Sequence, residues 1–342
     1  MREGREVGPV GLLLWCGVLL GVSFPLGKVA AEAGVSPVMW ALLVSLGASL
    51  SLMPFLAAKG LLRLPRGKML RYVVISGMVS FAGINLMIFG LVPKVGAGQV
   101  GMMFALSPVA TLAASLLFGM KAPNALGIAG IIVGLVGALM VAFGRGGVEG
   151  TLIWSLVALS IPVVLAAGNV YRSLDWPAGA HPMALAFWAH LVAVVSLIAV
   201  QFARGEGVSF EAIQRVPGAA MVQLVAAALT FPAYFKLQKT GGPVLLSQIG
   251  YIAAALGLLS AVVLLGERYG PVSWIGAGIT AVGIAMTIAA QTGWRVNIQG
   301  WFPIGRLTRA KLFSRRELER APQQGYLLSA RRQAVLKLLR QA

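Results

Sequence analysis

Carboxylates are scarce in this chain. Asp and Glu number 10 among 342 residues, and charged residues of every kind make up 11%. A soluble domain usually carries about 25%, so there is too little charge to solvate a globular surface. The one cysteine, Cys16, has no partner for an internal disulfide. Two histidines, that cysteine and no acid inside an apolar run leave little from which to build a metal centre or a Ser/His/Asp set. No metal or other cofactor is expected, and a membrane-embedded enzyme is the weaker alternative. The 43 glycines and 17 prolines follow no period of three, which excludes collagen.

What the chain has is apolar length. Hydrophobic types reach 58%, with a mean hydropathy of +0.86. A helix needs roughly 20 mostly apolar residues to cross the hydrocarbon core. Ten runs qualify, at about residues 10–30, 38–58, 71–92, 98–118, 124–143, 151–171, 182–203, 218–238, 244–265 and 272–290. Runs such as Val10–Leu20 and Ile252–Leu265 are apolar throughout, whereas barrel strands alternate, so helices are expected.

The formal net charge is +18, and its placement orients the bundle. With the N-terminus cytoplasmic, the inner segments hold Lys59, Arg63, Arg66, Lys68 and Arg71, then Lys121, Arg172 with Asp175, Lys236 and Lys239, and the basic tail. The outer segments are close to neutral. The positive-inside rule favours both termini inside, which requires an even number of spans. The first run also has the outline of a signal peptide, with Arg2, Arg5 and Ala31-Glu-Ala33. Its reappearance later in the chain argues against cleavage.

That reappearance is an internal repeat. Gly11-Leu-Leu-Leu-Trp15 returns as Gly150-Thr-Leu-Ile-Trp154, and Gln99-Val-Gly101 as Gln248-Ile-Gly250. In the same order Ala105 matches Ala254, Gly127 matches Gly276, and Val133-Gly134 matches Val282-Gly283. Pro37 and Pro182 open the second run of each half. Five spans per half place the halves in opposite orientations, the inverted repeat of many secondary transporters. The expected fold is all-α and integral to the membrane, ten transmembrane helices as two inverted five-helix repeats around a central cavity. Its parts are an N-tail at 1–9, a first repeat at 10–143, a second at 144–290 and a basic C-tail at 291–342.

Several motifs carry a resemblance. Trp15-Cys-Gly17, Phe24-Pro-Leu-Gly-Lys28 and Ser36-Pro37 resemble the opening of the drug/metabolite transporter superfamily, EamA type. Leu106-Ser-Pro108 with Phe118-Gly119 resembles its fourth span. Tyr251, then Leu265-Gly-Glu-Arg268, Gly276 and Gly283, resemble its ninth and tenth. Met120 stands where the family often has Glu, and Trp40-Ala-Leu-Leu-Val44 lacks an Arg often found there. The resemblance implies ten helices around a cavity and export of small metabolites such as amino acids, or of drug-like amines, across the inner membrane of a bacterium.

Polar groups inside apolar runs are the candidate site, because polarity in lipid faces a cavity or a partner helix. They are Ser23, Asn85, Gln99, Ser107, Thr111, Asn169, Gln223, Thr230, Tyr234, Gln248 and Tyr251. The alternative for each is a tie between two helices. Asn85, Ser107, Thr230, Tyr234 and Tyr251 are preferred for substrate, since they fall in the spans that the resemblance places around the cavity. Gating or coupling is assigned to Lys28, His190, Pro25, Pro108 and Pro232. His190 is either a proton acceptor or a neutral ring bonded between helices. Lys28 either snorkels to the headgroups or pairs an anion, with Lys236 weighed alike but tilted to snorkelling. Prolines, Pro162 among them, free a backbone carbonyl and act as hinges or merely shape packing. No carboxylate lies in the middle of a span, which argues against proton coupling through a central acid.

Gly127, Gly130, Gly134 and Gly137 share one helix face and suit close helix packing, within the chain or across a dimer. Glu267-Arg268 is taken as a loop cap. In the tail, Leu328, Val335, Leu338 and Leu339 alternate with Arg331, Arg332 and Lys337, a short amphipathic pattern suited to anionic headgroups. Simple disorder fits that stretch as well. The expected partners are a small-molecule substrate and membrane lipid, with no nucleic acid, in a monomer or homodimer. A channel would lack the paired inverted halves.

Overall fold

The computed structural model describes residues 8–95, 97–143, 152–265 and 270–291. The tail expectation and the Glu267-Arg268 cap lie outside them. All regular structure among the described residues is helical. The chain runs through α1 (Pro9–Glu32), α2 (Pro37–Ala58), α3 (Gly67–Ile75), a π-helical segment (Ser76–Gly83), α4 (Ile84–Val95), α5 (Ala97–Ala105) and α6 (Ser107–Leu117). It continues with α7 (Ala125–Phe143), α8 (Leu152–Ala158), α9 (Ser160–Leu174), α10 (Pro182–Ala203), the short α11 (Glu211–Gln214), α12 (Pro217–Ser247), α13 (Ile249–Leu265) and α14 (Pro271–Gln291).

Each expected apolar run is helical over most of its length. Six stretches are long and apolar enough to cross a membrane: Pro9–Glu32, Pro37–Ala58, Gly67–Val95, Leu156–Leu174, Pro182–Ala203 and Pro217–Ser247. Met103–Leu117, Ala125–Gly137 and Trp274–Ala290 are shorter apolar helices. Several starts follow local chemistry. Proline leads α1, α2, α10 and α12, where its missing N–H costs nothing. Ser36 caps α2 by accepting from the Met39 amide at 3.2 Å.

Breaks also have local causes. Ser107-Pro108 interrupts the helix between α5 and α6, and Leu159 separates α8 from α9 just before Pro162. Pro25 and Pro232 stay inside continuous helices. Gly242 breaks α12 near its end with φ +70° and ψ −176°, a conformation few residues other than glycine adopt.

Ion pairs and hydrogen bonds join helix ends into two faces. Arg71 at the start of α3 meets Asp175 just after α9, and Asn124 before α7 donates to the Ala290 carbonyl near the end of α14. This is the basic face, which also holds Lys59, Arg63, Arg66 and Lys68. On the opposite face the Lys94 ammonium sits 4.0 Å from the Trp154 ring centre. Between the faces the outside of the bundle is apolar, with Leu14, Val195, Phe202, Val225 and Val263 exposed, as lipid requires.

The glycine face of α7 is used within the chain. A Cβ on Gly130 would lie 2.8 Å from the Gly283 carbonyl oxygen, and one on Gly137 2.5 Å from the Gly276 carbonyl oxygen. Only glycine lets the α7 and α14 backbones approach this closely. Gly137→Leu is therefore expected to destabilise the fold by about 1–3 kcal/mol, as overpacking does. A lower melting temperature of the purified protein in detergent checks it.

Candidate functional site

A cavity of about 80 Å³ lies among the middles of α1, α2, the π segment with α4, α5, α9 and α12. Its polar lining is Ser23, Ser80, Asn85, Gln223, Thr230 and Tyr234, and its aromatic lining Phe24, Phe81, Phe89, Phe104 and Phe231. A few polar groups in an apolar wall are what a small-molecule site requires. The Gln223 amide donates to the Ser23 hydroxyl at 3.1 Å, tying α12 to α1 across the wall. The Asn85 side-chain nitrogen and the Ser80 hydroxyl have no hydrogen-bond partner among the described residues.

The π-helical segment positions part of this lining. It carries Ser80 and Phe81 and packs on α10, where a Cβ on Gly77 would lie 2.5 Å from the Ala189 carbonyl oxygen. Its wider turn leaves side chains out of α-helical register, a feature common at functional sites.

Toward the basic face the cavity ends in aromatic rings. Phe81 meets Phe231 edge-on with centroids 5.5 Å apart, and Phe235 at 5.7 Å. Phe235 contacts Trp176, which contacts Tyr72 at 5.8 Å, and Tyr72 stacks on Tyr171 at 6.0 Å. The chain of rings finishes at a polar latch. Asp175 accepts from Arg71 Nη2 at 2.6 Å and Nε at 3.2 Å, and from the Tyr171 hydroxyl at 3.0 Å, with Lys68 at 3.7 Å. Partial burial pushes the Asp175 carboxyl up, but the bonds from Arg71 and Tyr171 and the nearby cations outweigh it and hold the group below its usual range.

Beside the rings lies a cation that the sequence does not reveal as buried. Arg172 counts there as loop charge beside Asp175. In the structure it is the last-turn residue of α9 and only 1% exposed. Its Nη2 donates to Asn169 Oδ1 at 2.7 Å and to the Tyr234 hydroxyl at 2.6 Å, and its Nε to Gln238 Oε1 at 3.3 Å. The guanidinium carbon stands 5.5 Å from the Phe81 ring centre and 5.4 Å from that of Tyr234. Nη1 has no hydrogen-bond partner among the described residues. The one legible signal is its position: a helical side chain leans toward the N-terminus of its helix, so an Arg in the last turn of α9 reaches back into the bundle.

The expected residues separate. Asn85, Thr230 and Tyr234 come together on the cavity wall. Ser107 is buried at the start of α6 and Tyr251 in α13, both outside the lining. The Tyr251 hydroxyl donates to the Ile131 carbonyl at 2.7 Å, tying α13 to α7. His190 is fully buried behind the rings, 4.3 Å from Phe81 and 3.9 Å from Phe231 between centroids. Neither ring nitrogen has a hydrogen-bond partner among the described residues, so packing replaces the bond expected between helices. Lys28 is half-buried one turn before the end of α1, toward the opposite face. Pro25 lies beside the lining residue Phe24, and Pro232 beside Phe231; Pro108 sits one turn beyond Phe104, at the break. The described residues hold no cluster of metal-ligating side chains.

A helical bundle with an apolar exterior around a mostly apolar cavity with a few polar groups marks an integral membrane protein with room for a small solute. The chain matches the EamA-like transporter family over residues 9–143 and 152–289 and belongs to it. That family lies within the drug/metabolite transporter superfamily, and it indicates a transporter rather than an enzyme. The chain is 24% identical over 284 residues to the uncharacterized inner membrane transporter YedA of Escherichia coli, in strain K12 and in the O6:H1 and O157:H7 strains. The alignment spans 82% of this chain and 91% of the relative. A solved crystal structure shares the fold with a TM-score of 0.62 at 19% identity, covering 82% of this chain and 97% of that one.

Proposed function

We propose that the protein is a secondary transporter of the bacterial inner membrane that exports small metabolites by alternating access. The observation that carries this reading is the cavity: it lies among the middles of the helices, and aromatic rings and an ion pair stand between it and the basic face. Ten spans in two inverted halves form the bundle. The meeting of Gly134 with Gly283 between α7 and α14 supports this, because the two are repeat equivalents. The basic face is cytoplasmic, with both termini inside, in keeping with the charge rule and with YedA being named an inner membrane transporter.

Substrate sits against Asn85, Thr230 and Tyr234, while Ser107 and Tyr251 hold the surrounding helices. The Arg71–Asp175 pair keeps the cytoplasmic side shut. Pro25, Pro108 and Pro232 supply the bends at which helices pivot, Lys28 guards the outer end, and His190 supports the ring stack. Amino acids and compact amines are the candidate solutes.

Counterflow in liposomes, with a panel of amino acids and amines, tests this proposal. Preloaded solute is expected to drive transient accumulation of labelled solute, and Asn85→Ala to raise KM with the fold intact. Flux that never saturates and shows no counterflow would make the protein a channel; chemical conversion of the solute would make it an enzyme.

A further inference from the structure

A second cavity, of about 530 Å³, opens at the basic face among the ends of α6, α12 and α14 and the starts of α1 and α7. Local chemistry shapes its rim. α6 ends in a glycine turn: Gly119 has φ +67°, its amide donates to the Leu116 carbonyl at 3.0 Å, and the Met120 amide donates to the Ser115 carbonyl at 2.8 Å. Asn124 then caps α7 by accepting from the Gly127 amide at 2.9 Å, while its side-chain nitrogen holds the Ala290 carbonyl at 3.1 Å. Across the opening, α12 breaks at Gly242 and resumes at Pro243. The space left between these helix ends is in the size range of a ligand site.

The charge of the cavity has one sign. Lys121 lies in its lining and is exposed, and no carboxylate lines it among the described residues. The positive end of the α7 dipole, at Asn124 and Gly127, adds to the lysine. Much of the remaining wall is apolar, with Pro9, Pro243, Val244 and Leu245. Next to it in the chain, Leu117 is 86% exposed and Phe118 64%, an apolar surface at the level where α6 leaves the bundle. A ligand that is anionic at one end and apolar at the other meets both features.

We propose that this cavity holds the head group of an anionic phospholipid, with the phosphate at Lys121 and the acyl chains along Leu117 and Phe118. Basic pockets between membrane helices at the cytoplasmic side take such head groups. A zwitterionic lipid would bring an ammonium with no carboxylate to receive it. The site is separate from the central cavity, because an apolar cluster that includes Leu13, Leu237 and Leu246 stands between the two along α1 and α12. A bound head group bridges the α6–α7 turn and the α12 break, so it stabilises the folded protein.

The test uses the purified full-length protein, stripped of lipid in a non-ionic detergent. Phosphatidylglycerol, phosphatidylcholine and soluble glycerol 3-phosphate are added in turn. Lipid retained per protein is read by native mass spectrometry, and stability by the melting temperature. Phosphatidylglycerol is expected to bind about fivefold more tightly than phosphatidylcholine, the worth of one lysine beside anionic lipid. It should also raise the melting temperature more. Lys121→Gln should abolish that preference, and Ala122→Trp, which places an indole in the cavity mouth, should abolish the bound lipid itself. Lys59→Gln, on the same face but outside the lining, should change neither.

Both Lys121 and Ala122 are exposed, so the variants keep the fold. Equal retention of the two lipids by the parent would overturn the proposal. So would a preference that survives Lys121→Gln or Ala122→Trp, or one that Lys59→Gln removes equally. Glycerol 3-phosphate that displaces the lipid at matched concentration would make this a site for a soluble phosphate ester instead. None of these outcomes bears on counterflow, so the proposal and the transporter reading fail separately.

Discussion

Ala227→Trp abolishes solute movement while the protein still folds. Ala227 is buried on the cavity wall one turn from Thr230 and Phe231, with free volume in front of it. An indole there occupies the space a solute needs and satisfies itself against the phenylalanines already present. Counterflow should fall to the level of empty liposomes, and binding of any cavity ligand should go with it. The melting temperature should stay near that of the parent, because the ring enters a void rather than a packed core. Transport at the parental rate would move the translocation path away from this cavity.

Asp175→Asn opens the basic side. The carboxylate holds Arg71 through two hydrogen bonds and Tyr171 through a third. The amide keeps one acceptor oxygen and loses the charge, so the latch loosens and the population open toward the basic face rises severalfold. A thiol placed among the rings, in Phe235→Cys, should then react faster with a reagent added on that side.

The pH dependence has a definite sign. The Asp175 carboxyl titrates below its ordinary value of 3.8 when latched. The latch is therefore at full strength above that value and is lost only as pH falls through the lowered one. Between about pH 5 and 8 the labelling rate of the parent, corrected for reagent chemistry, should be flat on this account. A steep change in that window would assign the gate to a different group.

The helices were legible because lipid demands long apolar runs, and this chain supplies them with proline and serine at their starts. Asn85, Thr230 and Tyr234 were legible for a related reason, since a polar group inside such a run needs a purpose. The same signal marked Tyr251, whose hydroxyl instead binds a neighbouring helix carbonyl; one sequence cannot tell a wall from a tie. Arg172 was hidden by its neighbours. Next to Asp175 and a Trp-Pro pair it looks like loop charge, and only the backward lean of an α9 side chain buries it. The π segment left no trace, because Ser-Gly-Met-Val-Ser-Phe-Ala-Gly has nothing that distinguishes i+5 from i+4 hydrogen bonding. Ser80 was missed with it.

The central claim is that one cavity is reached from each side of the membrane in turn, and a single thiol tests it most directly. Cys16 is the only cysteine and is buried, so the background is nearly silent. Ser23→Cys puts a near-isosteric thiol on the cavity wall. A membrane-impermeant maleimide added at the face opposite the basic one should label it readily, and cavity ligand should slow that labelling. Added at the basic face, the reagent should label it slowly in the parent and faster in Asp175→Asn. A thiol reached from neither side, or from the same single side in both backgrounds, would contradict alternating access.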